Sequence, residues 1–113
     1  MTVFEGRVSA VAALVVTHNR KELLLECLSA IAAQDYPVCT MVIIDNASTD
    51  GTKELFAKGG ALAGNPIIDY HRMESNLGGA GGFKEGLRIA SQSGAGWVWL
   101  MDDDCIPYSD TLS

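Results

Sequence analysis

The chain has 113 residues, 48% of them hydrophobic and 19% charged, which is enough for one packed domain and too apolar for a disordered segment. A net charge of −6 speaks against the basic face of a general nucleic-acid binder, and no apolar run approaches the roughly 20 residues of a membrane helix. Residues 1–7 lack the pattern of a signal peptide, and Cys27, Cys39 and Cys105 form no CxxC pair, so a disulfide framework or zinc knuckle is not expected and a reducing cytoplasm is.

Strand and helix signals alternate along the chain. Residues 8–17 (VSAVAALVVT) predict a buried strand. Asn19 offers an N-cap with Glu22 three residues on, and Leu24, Cys27, Leu28 and Ile31 follow at one-face helical spacing. Asp35-Tyr36-Pro37 breaks that helix. Residues 38–45 (VCTMVIID) predict a second buried strand, 46–51 a polar turn, and 52–58 a short helix closed by Gly59-Gly60. Residues 66–71 (PIIDYH) read as a third strand and 76–82 (NLGGAGG) as a glycine loop. A third helix follows, with Phe83, Leu87 and Ala90 on its inner face, ending near Gly94. Residues 97–101 form a fourth strand that runs into Asp102-Asp103-Asp104. This β-α-β-α-β-α-β order predicts an α/β fold, a mostly parallel sheet with helices on both faces, whose ligands sit at the carboxyl ends of the strands.

The chemically unusual residues collect at those ends. Strand one ends in Thr17-His18-Asn19-Arg20, strand two in Asp45-Asn46, and strand four in the three aspartates, which with Asp110 concentrate negative charge near residue 113. On an extended segment Asp102 and Asp104 share a face. Adjacent carboxylates repel unless solvent or a cation offsets them, and hard oxygen ligands favour Mg²⁺ or Mn²⁺ bridging to phosphates. A solvated acidic turn is the competing reading. The glycine loop is no Walker loop, because no Gly-Lys-Ser/Thr follows it, and it fails GxGxxG, because Lys84 stands where a glycine is required. Glycines before a helix still let backbone amides approach an anion or a sugar. Asp45 suits a base or ribose, or equally a turn cap beside Ser48, Thr49 and Asp50. Arg20 suits a phosphate, or a surface position in the first turn of helix one. His18, His71, Lys84, Arg88, Trp97, Trp99 and the cysteines read as packing or surface residues.

In this order the pieces resemble the family 2 inverting glycosyltransferases of the GT-A fold. The matching text is ALVVTHNRKELLLECLSAIAAQDYP, VIIDNASTDGT, NLGGAGGFKEGL and WVWLMDDD, from about Val11 to Pro107. The NLGGAGGF and DDD pair is most similar to the galactofuranosyltransferase and rhamnosyltransferase-like branch. The resemblance implies that residues 1–113 are the Rossmann-like, nucleotide-sugar-binding half of a GT-A domain. A UDP-sugar is the implied donor, with dTDP-rhamnose the runner-up. Thr17, Arg20, Asp45, Asn76, Asp102 and Asp103 are the implied nucleotide-binding residues. Asp102 and Asp104, in a DXD-type motif, are the implied ligands of Mn²⁺ or Mg²⁺. Transfer with inversion to an acceptor hydroxyl would use a carboxylate base expected beyond Ser113. The implied acceptor is a glycan or lipid-linked sugar in cell-envelope polysaccharide synthesis. The full-length protein would be cytoplasmic or peripheral at the inner face of the membrane, without nucleic acid, and the fragment alone is expected to be inactive and prone to self-association. Two other classes compete. A sugar-phosphate nucleotidyltransferase carries a glycine-rich basic loop where this chain has THNRKE, and a non-enzymatic, receiver-like regulatory domain lacks the glycine loop.

Overall fold

The computed structural model describes residues 10–105 and 107; Val8 and Ser9 of the expected first strand, residues 1–7 and Asp110 lie outside the described residues. Seven elements follow one another: β1 (Val11–Thr17), α1 (Lys21–Ala32), β2 (Thr40–Asp45), α2 (Thr52–Phe56), β3 (Ile68–Arg72), α3 (Gly78–Ala90) and β4 (Trp97–Asp102). All strand pairs are parallel, in the order β3-β2-β1-β4. β1 and β2 are central, which is why their sequences are continuous apolar runs and why every residue of β1 is buried.

Strand alternation divides the core into two layers. Val11, Ala13 and Val15 pack on one face with Leu24, Cys27, Leu28 and Ile31 of α1. Ala12, Leu14 and Val16 pack on the other with Val42, Ile44 and Ala90 of α3. The expected helices on both faces are present. The half-buried Trp97 and Trp99 lie against the α1 layer, as expected of packing residues.

Three local expectations are corrected. The glycine segment is not a loop throughout: α3 begins at Gly78, so most of it is the first turn of the helix. The buried residues of α3 are Gly82, Gly86 and Ala90; Phe83 packs half-buried against the same layer as expected, whereas Leu87 is 41% exposed. A Cβ on Gly86 would stand 2.3 Å from Leu14 Cδ1, so the glycine permits a helix–sheet approach too close for any side chain. Finally, Arg20 and not Asn19 is the N-cap of α1, and no side-chain bond from that residue caps the helix. Asn19 sits in the left-handed region at φ 51°, and Asp50, from the loop after β2, accepts the Lys21 N–H at 3.0 Å in the cap's place. β2 begins two residues later than expected, α2 ends two residues earlier, and β3 is shifted to start at Ile68 and end at Arg72.

Register levels the strand ends. Thr17 pairs with Asp45, Asp45 with Arg72, and Val16 with Asp102. The chain steps outward from β1 to β2 and β3, then returns across the other face to place β4 beside β1. That reversal opens a crevice above β1, as strand-order reversals do in open α/β sheets.

Candidate functional site

A cleft of about 250 Å³ occupies the crevice. Val16, Thr17, His18 and Arg20 line it from β1 and the loop after it, Asn46 from β2, Asn76, Gly78 and Gly79 from the start of α3, and Asp102 and Asp103 from β4. Of the residues expected to bind a nucleotide, the structure brings five to this cleft: Thr17, Arg20, Asn76, Asp102 and Asp103. Asp45 is not among its lining residues.

The aspartates divide into different roles. β4 ends at Asp102 and the chain turns through Asp103-Asp104, with the Cys105 N–H donating to the Asp102 carbonyl at 3.1 Å. Asp102 and Asp104 are exposed, whereas Asp103 is 4% exposed. The Thr17 hydroxyl donates to Asp103 Oδ2 at 2.7 Å, and Arg20 Nη1 lies 3.3 Å from Asp103 Oδ1 and 3.6 Å from Asp104 Oδ2. A buried carboxylate needs such a donor and a cation nearby. The carboxylates of Asp102 and Asp104 have the oxygen chemistry a hard divalent ion takes. Among the described residues, however, no three His, Cys, Asp or Glu side chains are placed together to hold a metal, so the remaining ligands would come from elsewhere.

Asp45 is fully buried, turned away from the cleft. Its Oδ1 accepts the Ser48 N–H at 3.0 Å, its Oδ2 accepts the Tyr70 hydroxyl, and Arg72 Nη1 lies 3.6 Å from the same oxygen. Burial first, then the hydrogen bond and charge of Asp45, push the Tyr70 phenol well above its ordinary value, against a smaller opposing effect of Arg72. Asp45 therefore shapes the turn that follows it, the capping role its neighbours allowed.

Asn46 is the residue that sequence reasoning passed over. It is 2% exposed and lines the cleft. Its Oδ1 accepts the Leu77 N–H at 3.3 Å and its Nδ2 donates to the Gly78 carbonyl at 3.1 Å, fastening the start of α3 to the end of β2. The signal was available: if Asp45 points to one face, its neighbour points to the other. His18 is likewise more than a surface residue, since its Nδ1–H donates to the Asn46 carbonyl. Asn76 caps the glycine turn, its Oδ1 accepting the Gly78 N–H at 2.8 Å.

Gly79 differs from Gly82 and Gly86. A Cβ on Gly79 would meet nothing within 4 Å, although the residue lines the cleft. Packing does not demand a glycine there; its bare backbone leaves the cleft open above the N-terminus of α3, an end of a helix that favours an anion.

The model of the family described as "Glycosyl transferase family 2" matches residues 12–113. The chain belongs to this family. Among curated relatives of this family 2 chain, galactofuranosyltransferase GlfT1 of Mycolicibacterium smegmatis is 40% identical over 90% of this chain and 32% of its own length. Abequosyltransferase RfbV of Salmonella typhimurium is 35% identical over 88% of this chain and 29% of its own. The chain thus spans about a third of the length of these relatives. Among solved structures, mannosyltransferase PcManGT from Pyrobaculum calidifontis, in complex with GDP-Man and Mn²⁺, aligns with a TM-score of 0.71 at 29% identity, over 92% of this chain and 30% of that one. S. aureus TarS 1-349 in complex with UDP-GlcNAc aligns at 0.72 and 26% identity, over 91% and 29%. The four-stranded parallel sheet is that of GT-A glycosyltransferases, and the nucleotidyltransferase and receiver-like alternatives give way to the family 2 assignment.

Proposed function

We propose that this chain is the donor-binding part of an inverting glycosyltransferase that takes a nucleotide-diphosphate sugar, a UDP-sugar first. The observation that carries the reading is the cleft above the N-terminus of α3, with Gly79 bare and facing open space. A diphosphate at that place would meet the backbone N–H groups of the first turn of α3 and the Arg20 guanidinium. Asn46, through its amide, and Thr17 stand beside it and would border the nucleoside, a role for which Asn46 is better placed than Asp45. Similarity to proteins solved with UDP-GlcNAc and with GDP-Man supports the donor class.

Asp102 and Asp104 would hold a Mn²⁺ or Mg²⁺ ion together with phosphate oxygens of the donor, and the ion would offset the charge of the diphosphate leaving group. Similarity to a protein solved with Mn²⁺ supports this cofactor. Asp103, already engaged with Thr17 and Arg20, would position the turn and border the ribose. The acceptor hydroxyl would attack the anomeric carbon opposite the leaving diphosphate, giving inversion; the base that takes its proton is assigned to none of the described residues. A glycan or lipid-linked acceptor and work at the inner face of the membrane belong to the same proposal.

The test is calorimetric titration with UDP, with and without Mn²⁺, using ADP and GDP as controls. Metal-dependent binding that prefers UDP is the expected result, and equal binding of all three nucleotides would remove the uridine assignment. Gly79→Ala adds a discriminating variant. It should leave the fold intact or stabilise it by about 0.5–1 kcal/mol, as replacing a helix glycine by alanine does, while weakening UDP by filling the cleft. Undiminished UDP affinity in that variant would place the phosphates elsewhere.

A further inference from the structure

We propose that Asn19 is a positioning residue, which sets the place of the Arg20 guanidinium by tying its backbone to the loop after β2. The geometric half of this inference stands alone; its effect on binding rests on the nucleotide reading above.

Asn19 holds a left-handed backbone at φ 51°, a conformation asparagine tolerates better than most residues. Its N–H donates to Ser48 Oγ at 2.9 Å, and its Oδ1 accepts the Thr49 N–H at 2.6 Å. One residue past Arg20, the Lys21 N–H donates to Asp50 Oδ2 at 3.0 Å. Residues 48–50 therefore hold the chain immediately before and immediately after Arg20. None of these three lines the cleft, and Arg20 does. This gives the second half of the DNASTDGT motif a use that ligand contact does not supply.

Such a use is needed. The Arg20 side chain is 52% exposed, and its pairs with Asp103 and Asp104 span 3.3 and 3.6 Å. Half-exposed ion pairs are weak, largely because ordering a long side chain and its backbone opposes them. Fixing the backbone on both sides removes part of that cost before any ligand arrives. Asp103, nearly buried, then keeps its only cation within reach among the ion pairs of the described residues.

The experiment reads the order of the Arg20 side chain by ¹⁵N relaxation of its Nε–Hε group in the wild-type protein, Asn19→Asp and Asn19→Gly. Aspartate keeps the acceptor oxygen for Thr49. Glycine keeps the left-handed backbone and the N–H to Ser48 but removes that oxygen. Asn19→Asp should match the wild type, and Asn19→Gly should lose order with helix content by circular dichroism unchanged. An Arg20 as rigid in Asn19→Gly as in the wild type overturns the proposal. If Asn19→Gly loses helix content, Ser48→Ala, which removes one tie from the opposite loop, is read by the same criterion. UDP affinity in a double-mutant cycle supplies the second arm: Asn19→Gly should weaken UDP about tenfold alone and no further in an Arg20→Ala background. Additive losses would show that Asn19 does not act through Arg20. No UDP binding by the wild-type protein would overturn the nucleotide reading instead, and the order measurement would then decide the role of Asn19.

Discussion

Asp45 and Asn46 show how one strand end serves two purposes. Asp45 is fully buried among Ser48, Tyr70 and Arg72, while Asn46 faces the cleft. Asp45→Ala would strand the Ser48 N–H and the Tyr70 hydroxyl, a loss of about 1–3 kcal/mol that denaturant unfolding would read. Asp45→Asn keeps an acceptor oxygen and should unfold closer to the wild type. If Asp45→Asn folds well yet selectively loses UDP, Asp45 touches the base after all. Cys27 gives a second prediction at this scale. Burial, then the nearby Cys105, Asp103 and Asp104, push its thiol up to about 12, so almost no thiolate exists near neutral pH. Cys39 and Cys105 are exposed. A thiol reagent at pH 7.5 should modify those two and spare Cys27 until the protein unfolds; mass spectrometry of the labelled protein decides.

Among the elements, α3 and the start of α1 depend most on tertiary contacts. Gly86→Ala forces a methyl against Leu14 Cδ1 and within 3.1 Å of Ile44 Cγ1, both on central strands. Overpacking of this kind costs about 1–3 kcal/mol, with the outcome read as a lower denaturation midpoint at unchanged slope. The contrast with Gly79→Ala, one helical face away, separates a packing glycine from a cleft glycine. At α1, the Asp50 carboxyl is held below its ordinary value: burial raises it, but the hydrogen bonds from Thr52 and the Lys21 N–H outweigh that. A folded-state value below the unfolded one means stability that is complete above the unfolded value near 3.8 and lost as pH falls through the lower, folded value. The Tm difference between the wild type and Asp50→Ala should therefore shrink as pH drops from 5 toward 2. A difference that stays constant would mean the carboxylate charge contributes nothing to the cap.

At the scale of the whole molecule, the parallel sheet brings Thr17, Asn46, Asn76 and Asp102 to one rim from four separate stretches of chain. A ligand bound there stabilises the entire domain, because binding to the folded state alone draws on global unfolding. At a hundredfold excess over Kd the gain is about 2.7 kcal/mol. UDP with Mn²⁺ should raise Tm by several degrees or more, and ADP should not. Asp104→Ala should keep the wild-type Tm without ligand but lose the Mn²⁺-dependent part of the rise; a full rise in that variant would remove Asp104 from the metal site.

The sequence by itself determined the element order, the two central strands and the edge where the site lies. Those follow from patterns only a few residues long: apolar runs in strands buried on both faces, helical spacing from Leu24 to Ile31, and polar residues at strand ends. The family resemblance carried by its motifs implied Thr17, Arg20, Asn76, Asp102 and Asp103 as site residues, and the structure gathers these five around one cleft. What only the tertiary structure decided depends on which face meets which neighbour. Gly82 and Gly86 became an inner face because β1 and β2 come close enough to exclude side chains. Asn19 gave up its capping role because a distant loop presented Ser48 and Thr49 as its partners and Asp50 as the acceptor for the Lys21 N–H. Asp45 turned inward and Asn46 toward the cleft because Tyr70 and Arg72, on a strand some 25 residues away, were there to receive the carboxylate. Each is a contact between segments far apart in the chain, which a local pattern permits but cannot specify.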